Sequence, residues 1–176
     1  MKNLITIGLP SKGRLKDKAI SFFNERGLKI LQSEKERNYF GIIENKPNIK
    51  IIFLHAKEII QRLGDGTLDI GVSGLDLLKE SDKNLQGKIN VQKKLDFGNA
   101  NLVIAVPDDW IDVQTIADLE EVSFDIRLKR NARLRVATKY PNLTNDFLIS
   151  KGVTQYKLIP SLGATETYPF IGSSEI

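Results

Sequence analysis

Apolar and polar positions along this chain fall into a strand-then-helix rhythm. Residues 4–8 form a short apolar run that predicts a buried first strand, and Pro10-Ser11-Lys12-Gly13-Arg14 predicts a turn after it. Leu15, Ala19, Ile20, Phe22 and Phe23 then recur at helical spacing up to a stop at Gly27. Residues 39–43 and 49–54 read as two strands joined by a turn over 45–48, and 56–63 as a short amphipathic helix ending at Gly64-Asp65-Gly66. Leu68, Ile70 and Val72 alternate as in a strand, with Asp69, Gly71 and Ser73 between them. The period turns helical at Leu75, Leu77 and Leu78, where Ser73 stands in position to cap.

The second half repeats the rhythm. Residues 89–95 predict a strand, and 101–107 a strand apolar enough to be central in a sheet. A short helix over 115–119, a charged helix over 123–130 and a strand over 134–138 follow. Thr144 is placed to cap a helix over 145–151 that stops at Gly152, and 156–161 is the last strand. This alternation predicts an α/β protein of two lobes, residues 1–96 and 97–176.

Composition narrows the partners. The chain has 176 residues, 41% hydrophobic and 27% charged, enough for a sizeable core. Its 26 Lys and Arg outweigh 22 Asp and Glu for a net charge of +4, which favours nucleotides and phosphates as partners ahead of nucleic acid. The run from Arg127 to Arg135 is the most basic stretch, but no aromatics interleave with it, and a solvated helix end accounts for it. With no cysteine, a disulfide scaffold and a Cys-based metal site are excluded. The single histidine, His55, has no partner at a motif spacing. The first apolar run is too short for a signal-peptide core, and no stretch approaches membrane-spanning length, so a cytoplasmic protein is expected.

The candidate chemistry sits in the turns. Lys12 and Arg14 flank Gly13 at a helix N-terminus, where the dipole does not favour cations. An anion held between them and the helix amides explains that placement; a pair of solvated surface cations is the alternative. Gly71 and Gly74 bound a second strand-end turn, open either to a ligand or to close packing. A third turn runs from Thr138 to Thr144, and a fourth contains Gly163, Ala164, Thr165 and Glu166. Asp69 and Glu166 are placed to accept hydrogen bonds from sugar hydroxyls. Several such turns together argue for a cleft that binds a phosphorylated, sugar-bearing molecule. Neither a Walker motif nor a dinucleotide fingerprint occurs.

Five motifs, in order along the chain, resemble the ATP phosphoribosyltransferases that open histidine biosynthesis, in the short form. They are Ser11-Lys12-Gly13-Arg14-Leu15, GTLDIGVSGLDLL from Gly66, AVPDDWIDV from Ala105, RVATKYPNLT from Arg135 and SLGATETYP from Ser161. The resemblance implies a two-lobed fold like type II periplasmic binding proteins, with ATP and phosphoribosyl pyrophosphate meeting in the cleft. It implies attack of adenine N1 on C1 of the ribose, with pyrophosphate leaving as its Mg2+ complex. On the matching positions, Lys12, Gly13, Arg14, Gly71, Gly74, Thr138 and Thr165 would bind substrate, with Asp69 and Glu166 near the ribose or the attacking base. Arg37 is a further phosphate contact on this reading. The resemblance also implies a homo-oligomer with a histidyl-tRNA-synthetase-like regulatory subunit, and no membrane. Relatives continue past Ile176 into a loop that cradles the phosphate of phosphoribosyl pyrophosphate. The expectation is therefore a truncated chain that binds ATP and turns over poorly. A non-catalytic ligand-binding module of the periplasmic-binding-protein type is the competing reading.

Overall fold

The computed structural model describes residues 4–32 and 39–176. The chain divides into two compact units, residues 1–100 and 101–176.

In the first unit β1 (Ile5–Pro10) is the organising strand. It pairs in parallel with β4 (Lys46–Leu54) on one side and with β5 (Ile70–Gly71) on the other. β2 (Ile30–Gln32) and β3 (Phe40–Ile43) extend the sheet antiparallel beyond β4, giving the order β2-β3-β4-β1-β5. A strand flanked on both sides and covered on both faces reads as an unbroken apolar run, which is why β1 was legible. Its alternate residues face different helices. Ile7 and Leu9 are buried with Ala19 of α1 (Gly13–Asn24), together with Ile51 and Phe53 of β4. Gly8 points the other way: a Cβ there would lie 2.5 Å from Leu68 and 3.4 Å from Ile59 of α2 (Ala56–Gly64). Two short helices, α3 (Leu75–Lys79) and α4 (Lys83–Gln86), complete the unit.

The second unit is built on two parallel strands, β6 (Leu134–Thr138) and β7 (Tyr156–Pro160), joined through α6 (Pro141–Ser150). α5 (Ile116–Arg130) precedes them, and Leu119, Ile126, Leu134, Val136, Leu148, Val153 and Ile176 form the core. The free side of β6 carries main chain from the last residues: Ile176 N donates to Arg135 O at 3.3 Å and Ala137 N donates to Ile176 O at 2.8 Å, one rung of parallel pairing.

Several expectations are corrected. Residues 89–95 and 101–107 are not strands. In the second stretch Ile104 and Val106 do pack on the core of their unit, but among the described residues neither stretch joins a sheet. Side-chain burial without a ladder does not make a strand. The two helices expected over 115–119 and 123–130 are one, because Ser123 is buried and its hydroxyl donates back to Glu120 O at 2.7 Å. α6 starts four residues early, at Pro141, whose fixed φ suits the first helical position. Thr144 is thus inside the first turn, not a cap. Ser73 does not cap either; its hydroxyl donates to Ala56 O at 2.8 Å, and Gly74 is the N-cap of α3. The turn before β4 is only Glu44-Asn45, with Asn45 at φ 60°, so β4 begins at Lys46 and Pro47 falls at its start, where a missing N–H is tolerated. β2, only three residues long, had no legible signal.

Candidate functional site

Parallel pairing decides which turns meet in the first unit. Pro10 is in register with Leu54, and Gly8 with Gly71, so the carboxyl ends of β4, β1 and β5 lie side by side. Three turns leading into helices therefore share one edge: Ser11-Lys12 into α1, His55 into α2, and Val72-Ser73-Gly74 into α3. Ser11 N donates to Leu54 O at 2.8 Å and Val72 N to Gly8 O at 3.0 Å, which fixes the turns to that edge.

The three helix starts are not equivalent. His55 caps α2, with Nδ1 accepting from Lys57 N at 3.3 Å, so the lone histidine has a structural role at the turn. At α3, Asp76 lies in the first turn, and a Cβ on Gly74 would lie 2.2 Å from its carboxylate oxygen; that end already faces a negative charge. α1 has neither device. Its N-cap is Lys12, with no side-chain cap and no acidic residue in the first turn. Lys12 and Arg14 are exposed and make no ion pair among the described residues. Gly13 opens the helix at φ 72°, in the left-handed region, with nothing within 4 Å of where a Cβ would stand. Lys16, a turn further on, lies 5.0 Å from the centre of the Phe53 ring. α1 thus starts without a side-chain cap, beside two cations that are unpaired among the described residues, the chemistry an anion site needs.

Gly71 has a packing reason of its own. A Cβ there would lie 2.6 Å from Ile59 and 2.9 Å from Leu63, so glycine lets α2 approach β5. Asp69 stands at the other end of β5 from Gly74, where its Oδ2 accepts from Thr6 N at 2.7 Å while its own N donates to Thr6 O at 3.0 Å. Arg37 lies outside the described residues.

In the second unit, Thr138 is in register with Pro160, which sets the turn after β6 beside the turn after β7. Thr138 is buried; its hydroxyl lies 2.8 Å from that of Thr144 and accepts from Tyr140 N at 3.0 Å. Thr165 opens a short 3-10 turn (Thr165–Thr167), its hydroxyl 2.8 Å from that of Ser161, and Ala164 before it adopts φ 49°. Glu166 is exposed and without a hydrogen-bond partner among the described residues. Sequence reasoning missed the pair that ties the last residues of the chain to β6. Arg135 grips Glu175 with Nη2–Oε1 at 2.7 Å and Nε–Oε1 at 3.1 Å, and its Nη1 donates to Gly172 O at 2.9 Å. Its main-chain N donates to Glu175 Oε2 at 2.7 Å as well. Burial opposes the charge on Glu175, but the Arg135 hydrogen bonds and charge together outweigh it and hold the carboxyl below its ordinary value. Among the described residues no three His, Asp or Glu gather as a metal-binding group.

A mixed sheet with helices between its parallel strands defines an α/β protein, and its strand-end turns are the candidate site. The family described as HisG, ATP phosphoribosyltransferase, matches residues 55–176. The ATP phosphoribosyltransferase of Nitrobacter winogradskyi is 43% identical over 176 residues, all of this chain and 54% of that relative. The ATP phosphoribosyltransferase of Brucella melitensis is 42% identical over 173 residues, 98% of this chain and 75% of the relative. A chain of the ATP phosphoribosyl transferase (HisG:HisZ) complex from Thermotoga maritima superposes with a TM-score of 0.63 at 25% identity, over 98% of this chain and 70% of its own. The chain belongs to the ATP phosphoribosyltransferase family. It spans about half the length of the Nitrobacter relative and three quarters of the Brucella one.

Proposed function

We propose that this chain serves the transfer of the phosphoribosyl group from phosphoribosyl pyrophosphate to N1 of ATP, the first step of histidine biosynthesis. The observation that carries the reading is its family membership, through relatives named ATP phosphoribosyltransferase that match it from end to end. The reaction asks little of an acid or base, because adenine N1 already carries a lone pair. It asks for two substrates held in line and for positive charge around the leaving pyrophosphate. The uncapped end of α1 with Lys12 and Arg14 supplies amides and cations of that kind. Glu166, without a hydrogen-bond partner among the described residues, is available to ribose hydroxyls or the adenine, as are the Gly71–Gly74 turn to the sugar and Thr165 to phosphate; Thr138 shapes the turn beside Thr165. Asp69 keeps one carboxylate oxygen beyond the one bonded to Thr6. Mg2+ belongs to the substrate on this reading, bound to pyrophosphate oxygens and keeping several of its waters, as that ion prefers. The two-lobed, periplasmic-binding-protein-like cleft belongs to the proposal too, as do a cytoplasmic setting and assembly with further copies and a HisZ-like regulatory subunit. No helix among the described residues is long and apolar enough to cross a membrane.

The test is calorimetry with ATP. Losing one charge-assisted contact costs about 1.5–3 kcal/mol, so Lys12→Ala and Arg14→Ala should each weaken ATP binding about tenfold or more. Pyrophosphate release from ATP and phosphoribosyl pyrophosphate separates the transferase from a non-catalytic binding module. Unchanged ATP affinity in both variants would remove the α1 end from the site.

A further inference from the structure

Residues 161–176, the stretch after β7, carry the turn with Thr165 and Glu166, and hydrophobic burial does not hold that turn in place. From Leu162 to Ser173 no residue is buried, and Leu162 and Phe170 are 96% and 91% exposed. A loop of this kind keeps one shape only where polar contacts fix it, because ordering each residue costs backbone entropy.

Those contacts stand at the two feet of the loop, and both feet rest on β6. Ser161 N donates to Thr138 O at 2.9 Å, and the Ser161 hydroxyl lies 2.8 Å from that of Thr165. Three positions earlier on the strand, about 10 Å away at about 3.3 Å per residue, Arg135 takes the other foot. Its guanidinium spans the Glu175 carboxylate and the Gly172 carbonyl. Its main-chain N donates to the same carboxylate, and its main-chain O accepts from Glu175 N at 3.0 Å. The Glu175 side chain is only 16% exposed, so its charge depends on these partners. From that foot the hydrogen bonds run on to the turn. Ser173 N donates to Tyr168 O at 3.0 Å, and Tyr168 N to Thr165 O at 3.2 Å. Ile171 N donates to Thr167 O at 3.2 Å, and Thr167 N to Ala164 O at 3.0 Å. Each link fixes the backbone from which the next one is made.

We propose that Arg135 and Glu175 are positioning residues for substrate: their clasp holds the Thr165–Glu166 turn in its ligand-receiving shape from the far foot of the loop. The proposal rests on the reading of that turn as part of the substrate site. A ligand that binds only the ordered turn loses affinity in proportion to the fraction of chains in which the turn is ordered. Opening the clasp therefore weakens binding without removing an atom that touches substrate.

Amide hydrogen exchange and ATP calorimetry on the same variants test this. In Arg135→Ala the amides of Thr167, Tyr168, Ile171 and Ser173 should exchange about tenfold faster or more, while those of α5 and α6 change less. ATP affinity should fall about tenfold, and saturating ATP should restore the protection of the turn, since the ligand draws the loop back to its ordered state. Arg135→Lys keeps a cation for Glu175 but cannot span Gly172 as well, so it should recover part of both losses. Glu175→Gln, which keeps an acceptor for Arg135 N, should show the same two losses at smaller size, and it carries the test if circular dichroism shows Arg135→Ala unfolded. Turn amides that exchange no faster in either variant overturn the proposal and leave the substrate reading intact. A loosened turn with unchanged ATP affinity also overturns it. Glu166→Ala then separates the two readings: it weakens ATP binding if the turn is a substrate site and leaves it unchanged if that reading is itself wrong. A wild-type chain without measurable ATP affinity sinks the substrate reading of the turn and this proposal with it.

Discussion

Two glycines at the candidate turns are required for different reasons, and substitution separates them. Gly13 has open space around it, but its backbone sits at φ 72°, which an L residue occupies at a cost of about 1–2 kcal/mol. Gly71 has ordinary φ but no room beside Ile59 and Leu63. Gly71→Ala should destabilise by about 1–3 kcal/mol through overpacking. Gly13→Ala should cost less, and Gly13→Asn less still, since Asn tolerates the left-handed region. Urea unfolding of the three variants checks the order. Arg135 and Glu175 give a pH prediction. A carboxyl whose value is lowered by folding adds stability in full above the ordinary glutamate value, about 4.3, and loses it as pH falls through the lower folded value. Thermal melts should therefore show wild type falling faster than Glu175→Gln below about pH 4, with the variant the less stable of the two at pH 7.

At the scale of elements, periodicity was a good guide where a side-chain pattern and a hydrogen-bonding partner coincide. β1, β4, β6, β7, α1 and α2 were legible for that reason. The segments over 89–95 and 101–107 show the opposite case, since an apolar pattern does not report whether a neighbouring strand is present. α6 was misjudged because Thr144 looked like a cap, whereas Pro141 fixes the start and the Thr144 hydroxyl turns inward to Thr138. Of the candidate site, the turn chemistry of Lys12 and Arg14 followed from a strand stopping before a helix. The grip of Arg135 on Glu175 did not, because the partners lie 40 residues apart and nothing local marks them. α5 offers a test of local chemistry. Thr115 and Asp118 form a capping box, with Thr115 N donating to Asp118 Oδ2 at 2.7 Å and Asp118 N to the Thr115 hydroxyl at 3.3 Å. Thr115→Ala should cost about 0.5–2 kcal/mol in denaturant unfolding, and Thr115→Ser should recover most of it.

On the scale of the whole molecule, residues 89–115 contain neither helix nor strand, and the division between units falls within them at Ala100. Lys93 and Lys94 are exposed there. Limited trypsin treatment should cut at these two lysines before it cuts within α1, α5 or α6, giving two fragments resolved by mass spectrometry; early cleavage inside the helices would contradict the division. The pairing of β1 has a consequence in time. Ile7 must find Ile51 and Ile70, partners 44 and 63 positions further along the chain. At about 5–20 residues per second of synthesis, the first strand leaves the ribosome several seconds before its second neighbour exists. During that interval its apolar side chains and both rows of main-chain groups are without partners, a condition that invites association with other chains. The β3–β4 hairpin, whose strands are near neighbours, can form first and offer β4 as the earliest edge to receive it. β1, made before either of its neighbours, is therefore among the last strands of its sheet to be secured.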